Sequence, residues 1–113
     1  MDPDTLNRYR EIVRRLIEEY AKTRPSYGDI ESEAVIDESK DHYELLHVGW
    51  HGQHRIHGIV IHIDIRDGKI WIQHDGTSEV IAEELVRAGI PREAIVLGFR
   101  PANVRQHTGF AVA

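Results

Sequence analysis

His62, Asp64 and His74 are the residues of this chain that come nearest to a reactive constellation. Two imidazoles and one carboxylate are the donor set of a two-His-one-carboxylate metal centre, and on such a centre a metal-dependent hydrolase would be built. They lie in the stretch RIHGIVIHIDIRDGKIWIQHDG, residues 55 to 76, where isoleucines alternate with polar residues. Whether the three converge depends on which face of a strand each side chain takes.

Other chemical candidates are weaker. Asp67-Gly68-Lys69 imitates the acid-x-lysine element of magnesium-dependent nucleases, but that element needs both side chains to project from one strand beside a second acid. His42, His47, His51 and His54 are dense yet follow no ligand spacing, so surface histidines with a modest pH sensitivity are the simpler account. No nucleophile elbow, phosphate loop or paired carboxylates stand out, and the absence of cysteine removes disulfides, thiolate zinc sites and thiol nucleophiles.

The elements that position these residues follow from periodicity. Asp-Gly between alternating apolar runs predicts a two-residue hairpin turn at Asp67-Gly68, because a type I′ turn needs positive φ at both central residues. Arg66 then faces Lys69, and stepping outward Ile65 pairs with Ile70, Asp64 with Trp71, Ile63 with Ile72, His62 with Gln73 and Ile61 with His74. Strand side chains alternate, so Ile59, Ile61, Ile63 and Ile65 share a core face with Ile70 and Ile72, with His57 and His74 at its outer end. His62, Asp64, Trp71 and Gln73 take the opposite face. The metal triad therefore needs His74 on the wrong side. A one-residue slip would supply it, but would move two isoleucines out of the core at roughly 1.5–3 kcal/mol each. The bland account of His62 and Asp64 is a hydrogen-bonded pair with Trp71 as packing surface. The functional account is a recognition surface of Trp71, His62, Asp64 and Gln73, extended by Trp50 and Tyr43, since a large ring among donors is typical of interface hot spots.

The rest of the chain supplies the frame. Asp2 before Pro3 starts a helix to about Lys22, with Leu6, Tyr9, Ile12, Val13, Leu16, Ile17 and Tyr20 on one stripe. After Pro25 to Gly28, strands are expected at about Ile30 to Asp37 and at residues 42 to 50, the second returning through the HGQH loop. A second helix at about 78–88 is capped by Thr77 or Ser78, buries Val80, Ile81, Leu85 and Ala88, and stops at Gly89 and Pro91. A short strand at 95 to 99 precedes a turn-rich RPANVRQH and a partly extended tail. The fold class is α+β in one domain over residues 1–113: two helices and an antiparallel sheet of four or more strands.

Charge narrows the partners. Of the net −5, residues 1 to 24 and 51 to 113 are nearly balanced, while residues 25 to 50 hold seven acids against Lys40 alone. Proteins that hold nucleic acid by themselves show a basic footprint, and here Arg8, Arg10, Arg14 and Arg15 are interleaved with acids on a solvated helix face. Direct DNA binding through these and through Arg100 and Arg105 is not expected. Glu31, Glu33 and Asp41, within the acidic segment 29 to 44, are candidate contacts to a basic protein partner. No run of ~18 apolar residues is present, and the N-terminus lacks an apolar signal core, so a soluble, unexported, cytoplasmic protein without membrane contact is expected. A homo-oligomer through the free sheet face is an alternative to a heteromeric contact.

With these elements placed, YRxIVxxLIEEYA (Tyr9 to Ala21), PSYGDIE (Pro25 to Glu31), DHYELLHVGW (Asp41 to Trp50), HIDIRDGKIWIQHDGT (His62 to Thr77), IAEELVRAGIP (Ile81 to Pro91), IVLGF (Ile95 to Phe99) and the terminal TGFAVA together resemble the XisI family, the cyanobacterial fdxN element excision controlling factor. The resemblance implies an accessory role, with a companion XisH protein, in excision of a DNA element by a site-specific recombinase during heterocyst differentiation. No catalytic residues can be carried over from it, because none is established for the family, and from the placement of the residues no metal and no cofactor are expected. A non-enzymatic factor acting through an XisH-like protein is the expected function, and a hydrolase using His62, Asp64 and His74 is the alternative.

Overall fold

The computed structural model describes residues 2–113. Helix α1 (Pro3–Ala21) begins as its sequence dictates, with the Asp2 carboxylate accepting from the Asp4 amide at 3.1 Å and Pro3 at the first helical position. Tyr9, Val13 and Ile17, four residues apart, are its buried stripe. Four strands follow: β1 (Asp29–Asp37), β2 (His42–His51), β3 (His54–Arg66) and β4 (Lys69–Asp75). They form an antiparallel meander, and α1 packs on β1, β2 and β3. Helix α2 (Ile81–Arg87), a short 3-10 turn (Arg92–Ala94), strand β5 (Ile95–Leu97) and helix α3 (Ala102–Arg105) complete the chain. None of the described helices is long and apolar enough to cross a membrane.

The turn at Asp67-Gly68 forms where expected, with φ of 50° and 75°, and pairs Arg66 with Lys69, Ile65 with Ile70, Asp64 with Trp71 and Ile63 with Ile72. Tyr43, Leu45, Ile61, Ile63, Ile65, Ile70 and Ile72 make one buried face, closed by the α1 stripe and by Ile81, Ala82 and Leu85 of α2.

Two bulges break the uniform alternation. Leu45 pairs with Ile61 but Leu46 with Ile59, leaving Val60 as the extra residue. Ile59 consequently leaves the core face on which it was expected and is 43% exposed. His57 pairs with Val48 and is exposed, instead of closing the outer end of the core. At the second bulge Ile63 pairs with Ile72 but His62 with His74, so Gln73 is the extra residue and Asp75 stands opposite Ile61. The expected pairs His62 with Gln73 and Ile61 with His74 are thus corrected. A bulge confines a one-residue slip to the strand end, and Ile70 and Ile72 stay buried.

The sheet is not wholly antiparallel. β5 runs parallel to β4, pairing Ile70 with Ile95, because α2 carries the chain back to the starting end of β4. A backbone hydrogen bond from Ala111 to the Ile95 carbonyl (2.8 Å) and a bridge from Val96 to Ala111 lay the tail along the far side of β5. β1 is the opposite edge, and its exposed Glu31 and Glu33 discourage pairing with stray strands.

α2 is shorter than expected and is capped differently. Neither Thr77 nor Ser78 caps it. The Asp75 carboxylate at the end of β4 accepts from the Ile81 amide (3.0 Å) through one oxygen and from the Thr77 amide and hydroxyl through the other (3.0 and 2.6 Å). Val80, expected inside, is 59% exposed and Ala88 is also exposed, while Ala82 and Ile90 are buried in their place. Asp75→Ala is expected to lower stability by about 0.5–2 kcal/mol, the range for loss of a capping side chain. Ser78→Ala should stay within about 0.5 kcal/mol of the parent. Urea unfolding midpoints of the two variants check this.

Candidate functional site

On the face turned away from α1 and α2, β2 contributes His42 and Glu44 and β3 contributes His62 and Asp64. The register sets His42 opposite Asp64 and Glu44 opposite His62, so the four side chains form a square across one ladder. Asp64 is its centre. It is 5% exposed, and among the described residues it is the one buried charged side chain.

Four groups surround that carboxylate. His42 Nδ1 lies 2.7 Å from Oδ1, while Oδ2 has His62 Nε2 at 3.1 Å, an Arg66 guanidinium nitrogen at 3.3 Å and the Gln73 amide at 3.3 Å. Burial pushes the Asp64 carboxyl up, but the His42 hydrogen bond, the His62 charge and the Gln73 amide outweigh it and hold Asp64 below the usual carboxylate range. The His62 contact is out of line for a hydrogen bond, and its buried Nε2 has no hydrogen-bond partner among the described residues. His42 Nε2 in turn approaches Glu44 Oε1 at 3.3 Å, and the two imidazole rings meet edge to face at 4.6 Å.

His62, Asp64 and Gln73 are therefore brought together, as expected of one sheet face. Trp71 pairs with Asp64 on the same face but is not open. The Arg105 guanidinium lies over its ring at 5.2 Å, and Gly98 passes so close that a Cβ there would stand 3.3 Å from Trp71 Cε3 and 2.6 Å from Gln73 Oε1. The chain's own C-terminal segment covers this tryptophan. His74 pairs with His62 across the bulge but is exposed, and it lies outside the group of donor atoms that converge.

The acidic candidates separate likewise. Asp41, with φ of 52°, receives two hydrogen bonds from Arg10 (2.7 and 3.0 Å), and its carbonyl accepts from the Ile65 amide at 2.9 Å. This ties α1 to the end of the sheet. Glu38 is paired with Arg14, and Glu31 lies 3.7 Å from Arg24. Glu33 is exposed on the β1 edge.

The profile of the XisI protein family matches residues 3–112. This chain belongs to the XisI family. Two solved structures from Anabaena variabilis ATCC 29413 share the XisI fold. A XisI-like protein is 45% identical, with a TM-score of 0.88, over 96% of this chain and 99% of the other. The fdxN element excision controlling factor XisI is 35% identical, with a TM-score of 0.81, over the same shares. No curated protein matches the sequence.

Two members of the cluster, His42 and Glu44, escape sequence reasoning. Alternation along DHYELL does place them on one face of β2. Their meeting with His62 and Asp64 depends on the β2–β3 register, and the bulge at Val60 makes that register unreadable from the pattern.

Proposed function

We propose that this chain is a non-enzymatic controlling factor for excision of a DNA element, acting through a protein partner of the XisH type and so on a site-specific recombinase. The observation that carries this reading is the 35% identity, over 96% of the chain, to the fdxN element excision controlling factor XisI. The charge distribution supports action through protein. A net charge of −5 offers no phosphate-binding footprint, and Arg10 and Arg14 of α1 are engaged by Asp41 and Glu38.

The β1 edge is the better contact surface. It presents unpaired backbone groups beside Glu31 and Glu33, and a basic partner strand can add to such an edge. The face formed by His62, Asp64, Gln73 and Trp71 is the second surface, although Arg105 already occupies the Trp71 ring.

Co-purification with an XisH-like protein tests the proposal. The complex should weaken about tenfold or more when Glu31→Lys is combined with Glu33→Lys, and should weaken at high salt, where exposed charges are screened. Full-strength binding by the double variant moves the contact to the Trp71 face. A steeply salt-dependent mobility shift of DNA by this protein alone, or cleavage of DNA by it, rejects the reading.

A further inference from the structure

We propose that His42, Glu44 and His62 form a binding site for one first-row divalent cation of the zinc type, with Asp64 as the residue that orients the ligands. The site goes beyond the controlling-factor reading and does not depend on it. It also differs from the His62, Asp64 and His74 set suggested by sequence, because His74 does not converge with the others.

One donor atom from each of the three residues lies within 4.8 Å of the other two. His42 Nε2 and Glu44 Oε1 are 3.3 Å apart, a spacing that neighbouring ligands adopt around an ion held at about 2.0–2.2 Å from each. The side chains of His42, Glu44 and His62 are 31%, 18% and 24% exposed, enough to admit an ion yet shielded from bulk water.

The hydrogen bonds leave the donor set needing a cation. With the Nδ1 hydrogen of His42 given to Asp64 at 2.7 Å, the Nε2 lone pair of that ring points to the Glu44 carboxylate, so two acceptors face each other. A metal ion or a proton must lie between them. A buried carboxylate behind a histidine is the usual outer partner of a metal-binding imidazole, fixing its tautomer and ring angle. The buried His62 Nε2 makes no hydrogen bond among the described residues, although Asp64 Oδ2 lies 3.1 Å away out of line, a second observation that fits a cluster lacking a component. The bulge that makes Gln73 the extra residue of β4 lies directly beside His62 in the ladder, at a place where strands are often re-aimed next to sites.

Two imidazoles and one carboxylate select zinc, cobalt, nickel or copper over magnesium and calcium, which require oxygen ligands. Three protein ligands leave one position for water.

Untagged protein, stripped with a chelator, is titrated with ZnCl2 by calorimetry and with CoCl2 by visible absorption. One equivalent should bind with a Kd in the micromolar range or tighter, and Tm should rise with zinc concentration. Glu44→Gln should weaken binding about tenfold or more, Asp64→Asn about 10–100-fold, and His74→Ala should leave it unchanged. Imidazole 15N resonances of the unsubstituted protein supply a readout that needs no variant: those of His42 and His62 should move together and saturate at one equivalent of zinc. The proposal is overturned if no saturable equivalent binds, as for a cluster bridged by a proton alone. It is equally overturned if binding persists unchanged in Glu44→Gln, or if the shifted resonances belong to other histidines.

Discussion

Gly49→Ala is expected to destabilise the protein by about 1–3 kcal/mol or more, while the same substitution at Gly58, one strand away, is expected to be neutral or to stabilise by up to about 1 kcal/mol. Gly49 pairs with Ile30 in the β1–β2 ladder. A Cβ at Gly49 would overlap the Asp29 carbonyl oxygen and stand 2.7 Å from Ile30 Cα, and both are backbone atoms that no rotamer change can move. Relief requires β1 to separate from β2, which also draws Ile30, 1% exposed, out of its packing. Gly58 pairs with His47, does not need the left-handed backbone region, and a Cβ there meets nothing within 4 Å. Alanine at that position restricts the unfolded chain without a clash in the folded one. Urea denaturation of both variants measures the difference. Equal midpoints would mean that the β1–β2 approach is looser than the structure gives.

Asp64→Ala is the second large effect. It removes the acceptor for His42, Gln73 and Arg66 together; Arg66 is exposed and can turn to water, but leaving the half-buried His42 and Gln73 donors unsatisfied costs about 1–3 kcal/mol. Asp64→Asn keeps the shape and one acceptor oxygen, so its cost at neutral pH should be smaller. The pH dependence has a definite sign. Because the folded environment holds the Asp64 carboxyl below its ordinary value, the stabilisation is fully present above the unfolded pKa, about 3.9, and is lost as pH falls through the folded value. The stability difference between the parent protein and Asp64→Asn should therefore be largest at pH 5–7 and shrink below about pH 4. Unfolding free energies of both proteins across that range test it. A difference that stays constant down to pH 2 would show that ionised Asp64 contributes nothing to the fold.

Much of the candidate site was carried by local sequence, but not its membership. Asp64, His62 and Gln73 meet because alternation and the turn at Asp67-Gly68 are short-range facts, and the structure keeps them together. His42 and Glu44 join through the β2–β3 register, and the second bulge sets His74 opposite His62 while leaving it exposed and outside the converging donors. Neither event marks the hydrophobic pattern, because a bulge adds one residue while the isoleucines beyond it keep their face. The argument that a slip must cost two core isoleucines holds for a whole strand and fails for a bulged one.

The sequence by itself determined α1, the Asp67-Gly68 hairpin, the acidic edge strand and membership of the XisI family. Each rests on residues close together in the chain: a capped 3.6-residue period, a two-residue turn, a run of like charges, or short motifs in order. Tertiary structure alone decided the parallel seating of β5, the capping of α2 by Asp75, the covering of Trp71 by Arg105 and the square of His42, Glu44, His62 and Asp64. Those contacts join residues far apart in sequence. Their geometry is set by how the whole core closes over the sheet, and local propensity carries no record of it.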